Sequence, residues 1–186
     1  MNKVLVVIDA QEDFTYGALK NDEAIKALPT IHDIVEYAEK NDFKVIFYTQ
    51  DTHYGDYLRT QEGKNLPVEH CLANTSGWQI RKEVFPKTKP RVVLSKYSFG
   101  YTGWPGWHDI YEADEIWMCG FCTDICVSAN FQLLKAYYPE VPIVIIEDAC
   151  AGVTPELHEA ALKVMKSCQA EIIKWDELKK RNDKNA

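Results

Sequence analysis

Four β-rich stretches of this sequence run out into residues that can do acid–base or nucleophilic chemistry. Lys3–Asp9 ends on a carboxylate, and Asp51 and His53 follow Phe43–Thr49. Lys96 follows Arg91–Ser95, and the segment Gly120-Phe121-Cys122-Thr123-Asp124-Ile125-Cys126 follows the stretch that begins at Glu115. A thiol, a carboxylate and an ammonium together suit attack on a carbonyl: the sulfur bonds to carbon, the carboxylate moves protons, and the ammonium stabilises the charged pair. Cys126 falls in the first turn of a helix expected over Asp124–Tyr137, with Thr123 or Asp124 as its N-cap. The positive end of that helix and a nearby Lys96 would both lower the thiol pKa, giving a thiolate near neutral pH. Asp9 reads as general base toward the thiol and then general acid toward a leaving group. Each residue alone has a plainer reading: a buried inert cysteine, a loop-capping aspartate, a solvated lysine. Their delivery to one edge of a sheet is the stronger signal.

Asp51-Thr52-His53, with Glu62 and His70 further along, offers imidazole and carboxylate groups of the kind that bind zinc, iron or manganese. A polar loop with both histidines in solvent is the alternative. Cys119-x-x-Cys122-x-x-x-Cys126 offers a rival zinc or redox reading. It ranks lower, because Cys119 belongs to an apolar strand and no second cysteine pair completes a structural zinc site.

The elements that must position these groups alternate between strand and helix. Strands are expected at Lys3–Asp9, Phe43–Thr49, Arg91–Ser95, Glu115–Gly120, Pro142–Ile146 and Ala170–Lys174. Helical periodicity covers Asp22–Lys40, where Pro29 is expected to break the run and start a second helix carrying Ile31, Ile34, Val35 and Ala38 on one face. Thr52–Lys89 reads as loop with a short helix near Gln79–Val84, and Trp107–Tyr111 as helical. Pro155–Ser167 is a helix capped by Thr154, and a frayed polar helix ends the chain. The strands are nearly continuous apolar runs, as when both faces are covered. The expected fold is therefore α/β: a three-layer αβα sandwich around a doubly wound, six-stranded, mainly parallel sheet, forming one domain over residues 1–186. Ligands in such folds bind beyond the carboxyl ends of the strands.

Composition limits the partners. The formal net charge is −7 with no Lys/Arg-rich block, which disfavours nucleic acid. No apolar run approaches the roughly 20 residues that span a bilayer. The apolar run Val4–Ile8 meets Asp9 without a small-residue cleavage site, so it reads as a core strand rather than a signal peptide, and a cytoplasmic location is expected. The six cysteines are then thiols or ligands, not a disulfide framework.

Taken in order, several segments resemble the isochorismatase-like cysteine hydrolases and, within them, the nicotinamidases. They are Val7–Phe14 (Val-Ile-Asp-Ala-Gln-Glu-Asp-Phe), Asp51-Thr52-His53, Leu66-Pro67-Val68-Glu69-His70-Cys71 leading to Thr75-Ser76-Gly77, Lys96-Tyr97-Ser98-Phe99, and Gly120–Val127. The resemblance runs from Val4 to about Ile173. It implies a triad of Asp9, Lys96 and Cys126, and one divalent metal, zinc above iron or manganese, on Asp51, His53 and His70, with Glu62 or water completing the shell. It implies a cis peptide before Cys122 and an oxyanion hole made by the amide N–H groups of Cys122 and Cys126. Phe14 would stack on a substrate ring, with Leu66, Tyr97 and Phe121 as further substrate contacts. The chain departs from the pattern where nicotinamidases often carry a second ring-stacking aromatic. Leu66 stands nearest, Val68-Glu69 adds a residue before the histidine, and Tyr101, Trp104 and Trp107 are the candidate substitutes.

The resemblance therefore implies hydrolysis of a small carboxamide, nicotinamide above others, through a thioester, in pyridine nucleotide salvage and in a homo-oligomer. Hydrolysis of another small amide or an N-carbamoyl or ureido compound is the nearest alternative. A non-catalytic metal- or redox-sensing protein using the three cysteines is more remote, because it leaves Asp9 and Lys96 without a role.

Overall fold

The structure is a computed structural model and describes residues 2–184. Six strands form one sheet: β1 (Lys3–Ile8), β2 (Phe43–Asp51), β3 (Arg91–Lys96), β4 (Glu115–Phe121), β5 (Ile143–Ala151) and β6 (Ala170–Ile173). Their order is β3-β2-β1-β4-β5-β6, and every neighbouring pair is parallel. The order reverses between β1 and β4, the crevice where such sheets bind ligands. The helices are α1 (Asp22–Lys40), α2 (Gln61–Asn65), α3 (His108–Tyr111), α4 (Ser128–Tyr137), α5 (Pro155–Ser167) and α6 (Trp175–Asp183). Right-handed crossovers in the two directions of winding put α1 on one face and α4 and α5 on the other, giving the three-layer sandwich. The core is the sheet itself: Val4–Ile8 and Ile143–Ile146 are all buried.

Pro29 does not break α1, which runs unbroken through it. The buried residues Ala24, Ala27, Leu28, Ile31, Ile34, Val35 and Ala38 make one stripe across the proline. An interior proline costs about 3 kcal/mol, but each large apolar side chain buried contributes roughly 1.5–3 kcal/mol, so packing on the sheet outweighs the break. Asn21 caps the helix through Oδ1, which accepts from the N–H groups of Glu23 and Ala24. Strand β5 extends beyond the expected Ile146 because Glu147 and Asp148 interrupt the apolar run without ending the strand. From Ile145 to Cys150 it advances five residues where β4 advances two, and pairing resumes at Gly120 and Phe121. The final helix is not frayed over Trp175–Asp183. Trp175 is buried, and its Nε1–H donates to Asp33 Oδ2 at 2.5 Å.

Register aims the chemistry. Asp51 and Lys96 are partners on β2 and β3, and Ile8, just before Asp9, is the partner of Gly120. Gly120 has φ +120°, and a Cβ there would lie 2.0 Å from the Ile8 carbonyl oxygen. Only glycine lets β4 approach the end of β1 this closely.

Candidate active site

Asp9 leaves β1 in a left-handed conformation, φ +44°, and is completely buried. Its Oδ1 accepts from Thr49 Oγ1 at 2.7 Å. Lys96 Nζ lies 2.8 Å from Asp9 Oδ2, an ion-pair contact. Among the described residues Oδ2 has no partner beyond this ion pair. The same ammonium donates to Asp51 Oδ1 at 2.9 Å and to Cys126 Sγ at 3.4 Å. Lys96 is only 2% exposed and Cys126 6%. The three residues singled out as a triad thus meet, with Lys96 touching both of the others.

Cys126 does not sit in an ordinary first helical turn. Thr123–Val127 forms a π-turn, closed by the Val127 N–H donating to the Cys122 carbonyl at 3.0 Å, and α4 begins only at Ser128. Single π-turns of this kind are frequent at functional sites. Neither expected N-cap acts as one. Thr123 Oγ1 is paired with His158 Nδ1 at 2.8 Å, and Asp124 Oδ1 accepts from the Val153 N–H at 2.9 Å, both tying the turn to the segment after β5. The Phe121–Cys122 peptide is cis.

Burial pushes the Cys126 thiol well above its usual range; Lys96 opposes this, while Asp9, Asp51 and Cys122 add to it. The direction is opposite to that of the expected thiolate: desolvation and two carboxylates act upward against one ammonium. Burial likewise raises Asp9, against Lys96 and with Asp51. For Lys96 burial acts downward, but the charges of Asp9, Cys126 and Asp51 win and hold it well above the usual lysine value. Burial thus raises the thiol and the carboxyl, and the surrounding negative charge raises the ammonium.

A second cluster adjoins it. Asp51, His53, Glu62 and His70 each offer one ligand atom, and these lie within 4.8 Å of one another. His53 Nε2 is 2.9 Å from Asp51 Oδ2 and 3.5 Å from Glu62 Oε1. His70 Nε2 is 3.6 Å from each of those oxygens. Two imidazole nitrogens and two carboxylates facing one point fit a divalent cation. His70 Nδ1 pairs with the Val68 carbonyl at 2.9 Å, which fixes Nδ1 as the protonated nitrogen and leaves Nε2 free to ligate. Burial lowers the His53 pKa, but bonds to Asp51 and Glu62 raise it to about 9, a measure of the negative field there. Glu62 reaches the cluster from α2, an element that sequence periodicity did not reveal. Among the described residues Cys119, Cys122 and Cys126 form no such ligand group, and Cys119 is buried in β4.

Both clusters open into one cavity of about 1280 Å³. Phe14, Leu66 and Tyr97 line it, as expected, and Phe14 meets His70 edge-on at 5.8 Å. Phe121 does not: β4 continues through it, pairing it with Ala151, and its ring is fully buried in the core. Tyr101, Trp104 and Trp107 are not on the wall either; Trp104 is buried against Phe47 and Tyr101. Gln11 was overlooked in the sequence. Fully buried, it accepts from the Asp51 N–H at 2.7 Å and donates to the Asp51 carbonyl at 2.9 Å, clamping that residue's backbone. An amide side chain just past an apolar strand was the available signal.

Residues 3–177 match the isochorismatase domain family. Nicotinamidase of Escherichia coli (strain K12) is 24% identical over 198 residues, covering 90% of this chain and 92% of that protein. Among solved structures, pyrazinamidase of Pyrococcus horikoshii in complex with zinc aligns with a TM-score of 0.81 at 25% identity, covering 93% of this chain and 99% of that one. Nicotinamidase/pyrazinamidase of Bacillus subtilis aligns with a TM-score of 0.79 at 26% identity, covering 94% and 100%. With a family match spanning nearly the whole sequence, this chain belongs to the isochorismatase domain family and is a hydrolase of the amidase kind.

Proposed function

We propose that the protein hydrolyses a small primary carboxamide, nicotinamide or a close relative, to the acid and ammonia through a thioester on Cys126. The observation that carries this reading is the position of buried Lys96 Nζ, 2.8 Å from Asp9 and 3.4 Å from Cys126, the member of the three that lines the cavity. Asp9 takes the Cys126 proton as the sulfur bonds to the carboxamide carbon. The N–H groups of Cys122 and Cys126 hold the resulting oxyanion. Asp9 then returns the proton to nitrogen as the C–N bond breaks and ammonia leaves. Water, losing a proton to Asp9, attacks the thioester; the acid departs and the thiol regains its proton. Lys96 stays charged throughout and stabilises the thiolate and carboxylate by turns.

Asp51, His53, Glu62 and His70 would hold a divalent cation, zinc above iron or manganese. When bound it supplies a Lewis-acid contact that orients the substrate, a ring nitrogen in the case of nicotinamide. The zinc complex of the Pyrococcus horikoshii pyrazinamidase supports that choice. A role in pyridine nucleotide salvage and a homo-oligomeric assembly, drawn from the resemblance, and a cytoplasmic location, drawn from the Val4–Asp9 segment, complete the reading.

The test is ammonia release from nicotinamide and pyrazinamide, with mass spectrometry of acid-quenched enzyme. A nicotinoyl adduct on the Cys126 peptide supports the reading. Equal ammonia release by Cys126→Ala ends it.

A further inference from the structure

The cavity over Cys126 is larger than a single-ring amide requires. Its volume of about 1280 Å³ exceeds the roughly 300–1,000 Å³ that houses drug-sized ligands. Cys126 and the metal-ligating groups line it, and its rim combines the polar segment Lys20–Glu23 with an exposed apolar set. Leu66 beside α2, Tyr97 and Phe99 after β3, and Val153 after β5 form that apolar set at the mouth. Tyr97 is 67% exposed, Val153 54% and Phe99 47%. Tyr97 does not fold onto the core. It stacks on Tyr54, itself 55% exposed, with ring centroids 6.0 Å apart and planes at 21°. An apolar patch left in solvent beside a cleft marks a ligand groove.

The charges on the same wall are already matched. Lys20 pairs with Asp22 at 3.1 Å, and Glu23 pairs with Lys26 at 2.6 Å. These exposed pairs sum to no net charge, so the outer cavity offers apolar contact and no net field with which to select an ionised tail.

We infer that the site takes primary carboxamides with an uncharged apolar extension, the amide seated at Cys126 and the tail lying over Leu66, Tyr97, Phe99 and Val153. The inference rests on the amidase reading and names its substrate class.

The test compares nicotinamide with pyridine-3-carboxamide bearing a phenyl group on ring carbon 5, and with the same compound carrying a carboxylate on that phenyl. The phenyl compound should show at least tenfold higher kcat/KM than nicotinamide, mostly through KM, and the added carboxylate should remove the gain. Phe99→Ser and Val153→Ser should each lower kcat/KM for the phenyl compound at least threefold more than for nicotinamide. Calorimetric binding to Cys126→Ala separates binding from turnover. Tighter binding of the phenyl compound, with no hydrolysis of either amide by the wild-type enzyme, would refute the amidase reading and support the apolar tail groove. Hydrolysis of nicotinamide with equal affinity for both amides would overturn the inference and leave the amidase reading standing. So would a dimer in sedimentation that Phe99→Ser dissociates, if the phenyl compound binds no better: the mouth would then be a contact between two copies.

Discussion

Asp51 is shared between Lys96 and the histidines: Oδ1 accepts from Lys96 Nζ at 2.9 Å, while Oδ2 faces His53 at 2.9 Å and His70 at 3.6 Å. The order of the strands in the sequence implies two separable groups, a triad from the first, third and fourth strands and a ligand set after the second. The register of β2 on β3 joins them through one carboxylate.

Metal removal should therefore be felt at Cys126. Alkylation of Cys126 by iodoacetamide, followed by mass spectrometry with and without chelator, should differ several-fold in rate. Asp51→Asn should differ similarly and lose the metal besides. Identical alkylation rates in metal-loaded and metal-free protein would mean that the shared carboxylate transmits nothing.

The cysteines should divide sharply. Cys126→Ala should reduce ammonia release by at least three orders of magnitude, since among the described residues no other thiol bonds to Lys96. Cys119→Ala should keep kcat within a few-fold and lose stability instead, because Cys119 is fully buried in the central strand β4. Urea unfolding should show that loss, of about 1–2 kcal/mol for a small buried side chain. A Cys119 variant with normal stability and no activity would reverse the assignment.

Much of this site was legible because parallel strands carry their sequence neighbours to one edge. Asp9, Asp51, Lys96 and the Gly120–Cys126 segment each follow an apolar run, and runs of that kind pack as central strands. What was not legible depends on contacts between distant segments. The course of α1 through Pro29 is decided by the sheet beneath it, and α2, which brings Glu62, is too short to show a period. Phe121 has the composition of a pocket residue, but the length of β4 and its pairing with Ala151 turn its ring into the core. The thiol's raised pKa follows first from burial, which spacing alone does not reveal.

The pH profile should carry Asp9's signature. Burial raises its pKa above 3.8, Lys96 opposing and Asp51 assisting. Asp9 must be ionised to accept a proton, so the acid limb of kcat/KM should lie above the ordinary carboxylate value. Stability has the opposite sign. A group whose folded pKa is raised supports folding fully below its unfolded value, and that support is lost as pH rises through the folded value. Activity should climb through the window in which Asp9's contribution to stability falls. Urea unfolding of wild type and Asp9→Asn across that window checks this: the variant should lack the fall. An acid limb at or below 3.8 would show that Asp9 is not the base.

Gln11 should matter to Asp51 without touching substrate. Its side chain makes three buried or part-buried hydrogen bonds: from the Asp51 N–H, to the Asp51 carbonyl, and to the Trp78 carbonyl at 2.8 Å. Trp78 O keeps a second donor in Gln50 Nε2 at 2.9 Å, so the groups orphaned by Gln11→Leu are the two on Asp51. A buried backbone group left unpaired costs about 1–3 kcal/mol, so Gln11→Leu should lose roughly 2–6 kcal/mol in urea unfolding. The direction of the Asp51 side chain depends on that clamp, so metal affinity should fall with it, by tenfold or more. Thr60→Ala serves as a comparison: it removes the cap of α2, where Thr60 Oγ1 accepts from the Gly63 N–H at 3.0 Å, and leaves the Asp51 backbone alone. It should lower stability by about 1 kcal/mol and change metal affinity and Cys126 alkylation less than Gln11→Leu does, since it acts only through Glu62 on α2. Undiminished metal affinity in folded Gln11→Leu would mean that β2 holds Asp51 in place without the amide.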